Sequence, residues 1–126
     1  MKKEVDFTDW KDYARADLES AGFLFEKEAH TGHVIFHCHE SIEKYLKAIM
    51  VKAKMDFRFI HQLDSLVDDC PLPKKDKLRV ENACVTLDEM YIAARYPTIA
   101  RLTRKDAQEA LKIARGVEKI LLAYLE

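Results

Sequence analysis

Val34-Ile35-Phe36-His37-Cys38-His39-Glu40-Ser41-Ile42-Glu43-Lys44-Tyr45-Leu46-Lys47-Ala48-Ile49-Met50-Val51 is the stretch on which the fold turns. Its apolar residues Ile35, Cys38, Ile42, Leu46 and Ile49 recur at steps of three or four, the period of one buried helical stripe and not of a strand. Glu40 stands four residues before Lys44 and Glu43 four before Lys47. Acid before base at that spacing is the favourable order, contributing about 0.2–0.5 kcal/mol per pair. The stretch therefore predicts a central helix with an ordered polar side, which His33, His37, Lys44 and Lys47 share or border.

Toward the N-terminus, a first helix is expected from about Thr8 to Glu28. Thr8 or Asp6 caps it, Asp9 and Asp12 suit its positive end, and Trp10, Ala14, Leu18, Ala21 and Phe25 form its stripe. His30-Thr31-Gly32 then turns the chain, and so short a connection sends the central helix back antiparallel. Beyond Lys54 the period lapses until a short helix, His61 to about Asp69, in which Leu63, Leu66 and Val67 pack over the end of a bundle. Pro71 and Pro73 close it and prepare the next start.

The following helix is expected from about Lys74 to Ala94, with Val80, Ala83 or Cys84, Leu87, Tyr91 and Ala94 inward. Pro97 ends it at or before Tyr96, because the residue preceding proline is pushed out of the α conformation. Thr103 caps the last helix with Asp106 in place of the usual glutamate of a capping box. Ala107, Ala110, Ala114, Val117, Leu121 and Tyr124 carry that helix to the C-terminus, with fraying at Leu125-Glu126. The chain thus predicts an all-α, up-and-down four-helix bundle with an additional short helix between the second and third long helices, as one domain over residues 1–126.

Composition agrees with a helical globular protein: 48% hydrophobic and 34% charged residues, with three Gly and three Pro. A net charge of −1 gives no general attraction to nucleic acid, so any such binding needs a local patch. One is present between Arg95 and Lys105, where Arg95, Arg101, Arg104 and Lys105 stand without an acid. Cys38, Cys70 and Cys84 form no Cys-x-x-Cys pair and read as reduced, packed thiols. Met1-Lys2-Lys3 is followed by acids rather than an apolar run, so the expected location is cytoplasmic.

Several short patterns carry a resemblance: Phe36, Cys38, Glu43-Lys44 and Leu46-Lys47-Ala48 in mid-helix, His61-Gln62-Leu63 at a helix start, and Arg95-Tyr96-Pro97 at a helix end. In that order and spacing the chain resembles the HEPN family, small helical domains of higher eukaryotes and prokaryotes proposed to bind nucleotides. The match runs from Trp10 and Asp17-Leu18 to the last helix. It implies homodimers, with Phe23, Val34, Tyr45, Ile113 and Leu122 as interface candidates because they lie off the single stripes. Many relatives are ribonucleases whose motif is Arg, four to six residues, then His in the second hairpin. Here no histidine follows His61, so the chain resembles the subgroup without that motif and is not expected to be a ribonuclease on its own.

Other chemistries find little support. His33 and His37 have zinc-helix spacing with Glu40 beyond them, but Val34 stands where a His-Glu-x-x-His motif needs glutamate. No cofactor or metal set is expected. There is no Gly-x-Ser-x-Gly, and Gly22, Gly32 and Gly116 are too dispersed for a phosphate-cradling loop. What remains is a nucleotide site drawn from Lys44, Lys47, Arg95, Tyr96, Arg101 and Arg104, with Tyr96 as a stacking face. The resemblance implies a nucleotide-binding, dimerising module acting with a separate minimal nucleotidyltransferase. The alternatives are a toxin of a toxin–antitoxin pair acting on RNA through Tyr91, Arg95 and Tyr96, and a homodimeric scaffold without ligand.

Overall fold

In the computed structural model, which describes residues 5–97 and 101–126, the described residues form five helices and no strand. They are α1 (Phe7–Glu26), α2 (Thr31–Lys52), α3 (Leu63–Asp69), α4 (Lys74–Arg95) and α5 (Arg104–Leu122). The charged start Met1 to Glu4 and positions 98–100 of the basic connection lie outside the described residues. The architecture is the four-helix bundle with a short extra helix between its second and third long members.

Helix α2 is the hub and packs against all four others. The stripe Ile35, Cys38, Ile42, Leu46 and Ile49 is buried, and altogether fourteen of its twenty-two residues are. So wide a buried arc corrects one expectation. Val34 and Tyr45, set aside for an interface between copies because they leave the single stripe, are core residues of a helix that packs against all four others. The Tyr45 hydroxyl donates to Glu118 of α5 at 2.5 Å, and burial, then that carboxylate, push its pKa up. A one-stripe reading assumes one partner layer, and α2 has partners on several sides.

The helix ends show which starts are written locally. Asp6 caps α1 by accepting from the Thr8 and Asp9 N–H groups, and Asp9 returns a bond to the Asp6 N–H, a capping box. At α5 the Asp106 carboxylate accepts from the Thr103 N–H at 2.7 Å, as expected. Helix α2 begins at Thr31, inside the expected turn, because the His30 ring accepts the Gly32 N–H through Nδ1 at 3.0 Å. Helix α3 begins at Leu63, two residues later than expected, and its cap is not local. Asp88 of α4 accepts the Leu63 and Asp64 N–H groups at 3.0 and 3.2 Å. Tyr96 is extended, as a residue before proline must be, and ends α4. Helix α5 ends at Leu122 instead of running to the C-terminus, and the chain closes in turns, with the Tyr124 and Leu125 N–H groups donating to the Leu121 and Leu122 carbonyls. Leu125 itself is held in the core, and the neighbouring Tyr124 carbonyl accepts from Lys52 at 3.0 Å.

Candidate functional site

The connections α1–α2 and α4–α5 meet at one end of the bundle, since α1 and α2 form a hairpin and α4 ends where α2 begins. The contact there is close: a Cβ on Gly32 would lie 3.4 Å from the Ala94 carbonyl oxygen and 3.1 Å from the His30 ring. The absence of a side chain at Gly32 leaves an open cleft of about 680 Å³, floored by Thr31, Gly32, Ala93 and Ala94 and walled by Pro97, Arg101 and Leu102. Among the described residues its lining contains one cation, Arg101, and no acid. The start of α2 adds the positive end of a helix dipole, although the Gly32 N–H is already taken by His30.

The six residues expected to converge divide into two groups. Arg101 lines the cleft, and Arg95 and Tyr96 lie on its rim between Ala94 and Pro97. The Arg95 guanidinium sits 5.6 Å from the centres of both the Tyr91 and the Tyr96 rings, and Tyr96 is 48% exposed. Arg104 is close by at the end of α1, donating to the Phe25 carbonyl at 2.8 Å and covering the Phe25 ring at 4.0 Å. Lys44 and Lys47 are elsewhere. At 1.5 Å rise per residue they stand about 18 and 22 Å along α2 from Gly32.

Both lysines serve a polar layer inside the bundle. Lys44 pairs with Asp17 of α1, which also takes the His37 Nδ1–H at 2.9 Å, and lies 3.9 Å from Glu40. Lys47, 6% exposed, donates to Glu43 at 2.9 Å and lies over the Phe57 and Trp10 rings. Glu43 is equally buried and is also bonded to His61 at 2.9 Å. Beside it the His39 Nε2–H donates to Asp88 at 2.8 Å, and the His39 ring stacks on Tyr91 with centroids 3.9 Å apart. Burial, then the charge of Glu43, raise the pKa of Glu40. The carboxylates Asp17, Glu40, Glu43 and Asp88 outnumber the two lysines in this layer, and both lysines already have carboxylate partners.

The sequence reading missed a second cationic surface. A shallow groove of about 1030 Å³ along α4 and α5 is lined, among the described residues, by Arg79, Lys105, Lys112 and Arg115 with Glu109 as its one acid. Its signal was available: Lys105 and Lys112 are seven apart on α5, with Arg115 three further, one face of a helix. The groove lacks an exposed aromatic face, because its one aromatic, Phe25, lies beneath Arg104.

The chain and its fold have counterparts among known proteins. A family model described as HEPN domain matches residues 7–124. The fold is similar to the crystal structure of TT1696 from Thermus thermophilus, with a TM-score of 0.77 and 24% identity, covering 94% of this chain and 97% of that one. It is also similar to ST0689, described as an archaeal HEPN homologue, with a TM-score of 0.78 and 21% identity over 98% of this chain and 100% of that one. No curated protein matches.

Proposed function

This chain belongs to the HEPN domain family, and from that premise we propose that it is a homodimeric, nucleotide-binding module acting beside a separate minimal nucleotidyltransferase. The observation that carries the reading is the bundle-end cleft, whose lining among the described residues has Arg101 and no acid and whose rim carries Arg95 beside the exposed ring of Tyr96. A phosphate takes the guanidinium of Arg101 and the positive start of α2, and a base stacks on Tyr96. The partner enzyme, whose pairing is an inference from the family, supplies the transfer chemistry while this module holds substrate.

Dimerisation finds support on the outer face of α4. That helix fully buries Val80, Cys84 and Leu87 but leaves Leu78, Val85 and Ile92 at 59%, 41% and 51% exposure. These three recur every seven residues, a seam suited to a second helix. Calorimetry with ATP, with and without Mg²⁺, tests the ligand. Arg101→Ala and Tyr96→Ala should each weaken binding, whereas Lys44→Ala should leave affinity unchanged. Equal loss in Lys44→Ala, or no heat from the native protein at millimolar nucleotide, would remove the reading.

The RNA-acting toxin rests on a different observation, the α4–α5 groove, where Lys105, Lys112 and Arg115 have no carboxylate partner among the described residues. It predicts growth arrest on expression alone. Tyr91, one of its three expected contacts, is already stacked against His39.

A further inference from the structure

Among the described residues, only two buried side-chain atoms lack a hydrogen-bond partner, and one is Nδ1 of His39. The other nitrogen of that ring is committed. Both Asp88 oxygens already accept, from the Leu63 and Asp64 N–H groups, so the ring is assigned as donating to Asp88 through Nε2, which leaves a bare lone pair on Nδ1. His39 is fully buried, so water does not meet that lone pair from the surface. One ring nitrogen of His39 and one carboxylate oxygen from each of Glu40 and Glu43 lie within 4.8 Å of one another, and with Nε2 committed to Asp88 the nitrogen left to bind a ligand is Nδ1.

We propose that His39, Glu40 and Glu43 form a binding site for a divalent transition-metal ion, with Zn²⁺ chemistry the best match, at the junction of α2, α3 and α4. One imidazole nitrogen and two carboxylates are a borderline donor set of the kind zinc accepts. Ligand atoms around tetrahedral zinc stand about 3.4 Å apart, so rotamer adjustments of Glu40 and Glu43 close the site. Asp88 holds the ring by its far nitrogen, the carboxylate–histidine arrangement that fixes a metal-binding tautomer. Glu43 has lone pairs to spare, because its two oxygens hold one partner each, Lys47 and His61.

Charge favours the same ion. Asp17 and Asp88 face this layer from α1 and α4, and Lys44 and Lys47 are directed to Asp17 and Glu43, leaving Glu40 with only the 3.9 Å approach of Lys44. A cation there supplies what both Glu40 and the His39 lone pair lack. Glu40 and the largely exposed His61 are the parts of this cluster nearest to solvent. His33 and His37, which have zinc-helix spacing, stand outside this cluster: His33 is exposed beside His30 and His37 is bonded to Asp17. The proposal is independent of the nucleotide cleft, about 10 Å away along α2.

The test is calorimetric titration of the chelator-treated full chain with ZnCl₂, paired with thermal melts and with Co²⁺ as an absorbing probe. Expected are one ion per chain, a Tm that rises with Zn²⁺, and the intense visible bands of low-coordinate Co²⁺. Glu40→Gln, at a partly exposed position, should keep the metal-free Tm and lose more than the roughly tenfold affinity that loss of an outer-shell partner costs, since it removes a ligand outright. His33→Asn/His37→Asn should bind as the native chain does. Absence of binding, affinity unchanged in Glu40→Gln, or binding lost in the His33/His37 variant would overturn the proposal.

Discussion

Lys47 is the residue where position and role separate most clearly. Its ammonium is held by Glu43 in a nearly sealed layer, so Lys47→Ala leaves that buried carboxylate with His61 alone and should cost about 3 kcal/mol in urea unfolding, with nucleotide affinity unchanged per folded molecule. The pairs Glu40–Lys44 and Glu43–Lys47 were legible from four-residue spacing alone. Asp17, Asp88 and His61, which finish the same layer, were not, because they arrive from sequence-distant elements. The cysteines were read correctly as buried thiols. Burial pushes Cys38 and Cys70 up to about 12 and raises Cys84 as well. A raised thiol keeps its proton in the native state while the unfolded chain loses it above the ordinary value of 9.0. Stability is therefore complete below about pH 9 and falls as pH rises toward 12, and a disulfide reagent at pH 8 should label all three thiols only after denaturation.

At the scale of the element, Asp88 ties three helices with one carboxylate, accepting from two N–H groups of α3 and from His39 of α2. Asp88→Ala leaves those donors unmet and should cost about 2–4 kcal/mol, with amide exchange rising first across residues 63–69. Starts capped by neighbours in sequence, α1 and α5, were readable from Asp6 and Thr103. The α3 start was misplaced at His61 because its cap lies twenty-five residues further on. The cleft had the same fate in reverse: Arg95, Tyr96 and Arg101 were legible as a basic, aromatic segment, but only folding brings them to Gly32 and separates them from Lys44 and Lys47.

For the whole molecule, periodicity was sufficient to read the bundle, and insufficient to say which outer face meets another copy. Phe23 remains exposed, whereas Val34 and Tyr45 are internal, and the heptad Leu78, Val85, Ile92 was hidden because α4 alternates it with charges. Val85→Glu/Ile92→Glu should halve the mass measured by light scattering and retain the helical far-UV spectrum; an unchanged mass would place the interface elsewhere. The central claim, that the bundle-end cleft takes a phosphate-bearing nucleotide, is tested most directly by titrating ATP into ¹⁵N-labelled protein and following amide shifts. The account predicts saturable shifts confined to Thr31, Gly32, Ala94, Tyr96 and Arg101, with Lys44 and Lys47 still. Shifts centred on Lys44 and Lys47 or on Lys112 and Arg115, or none at all, would contradict it.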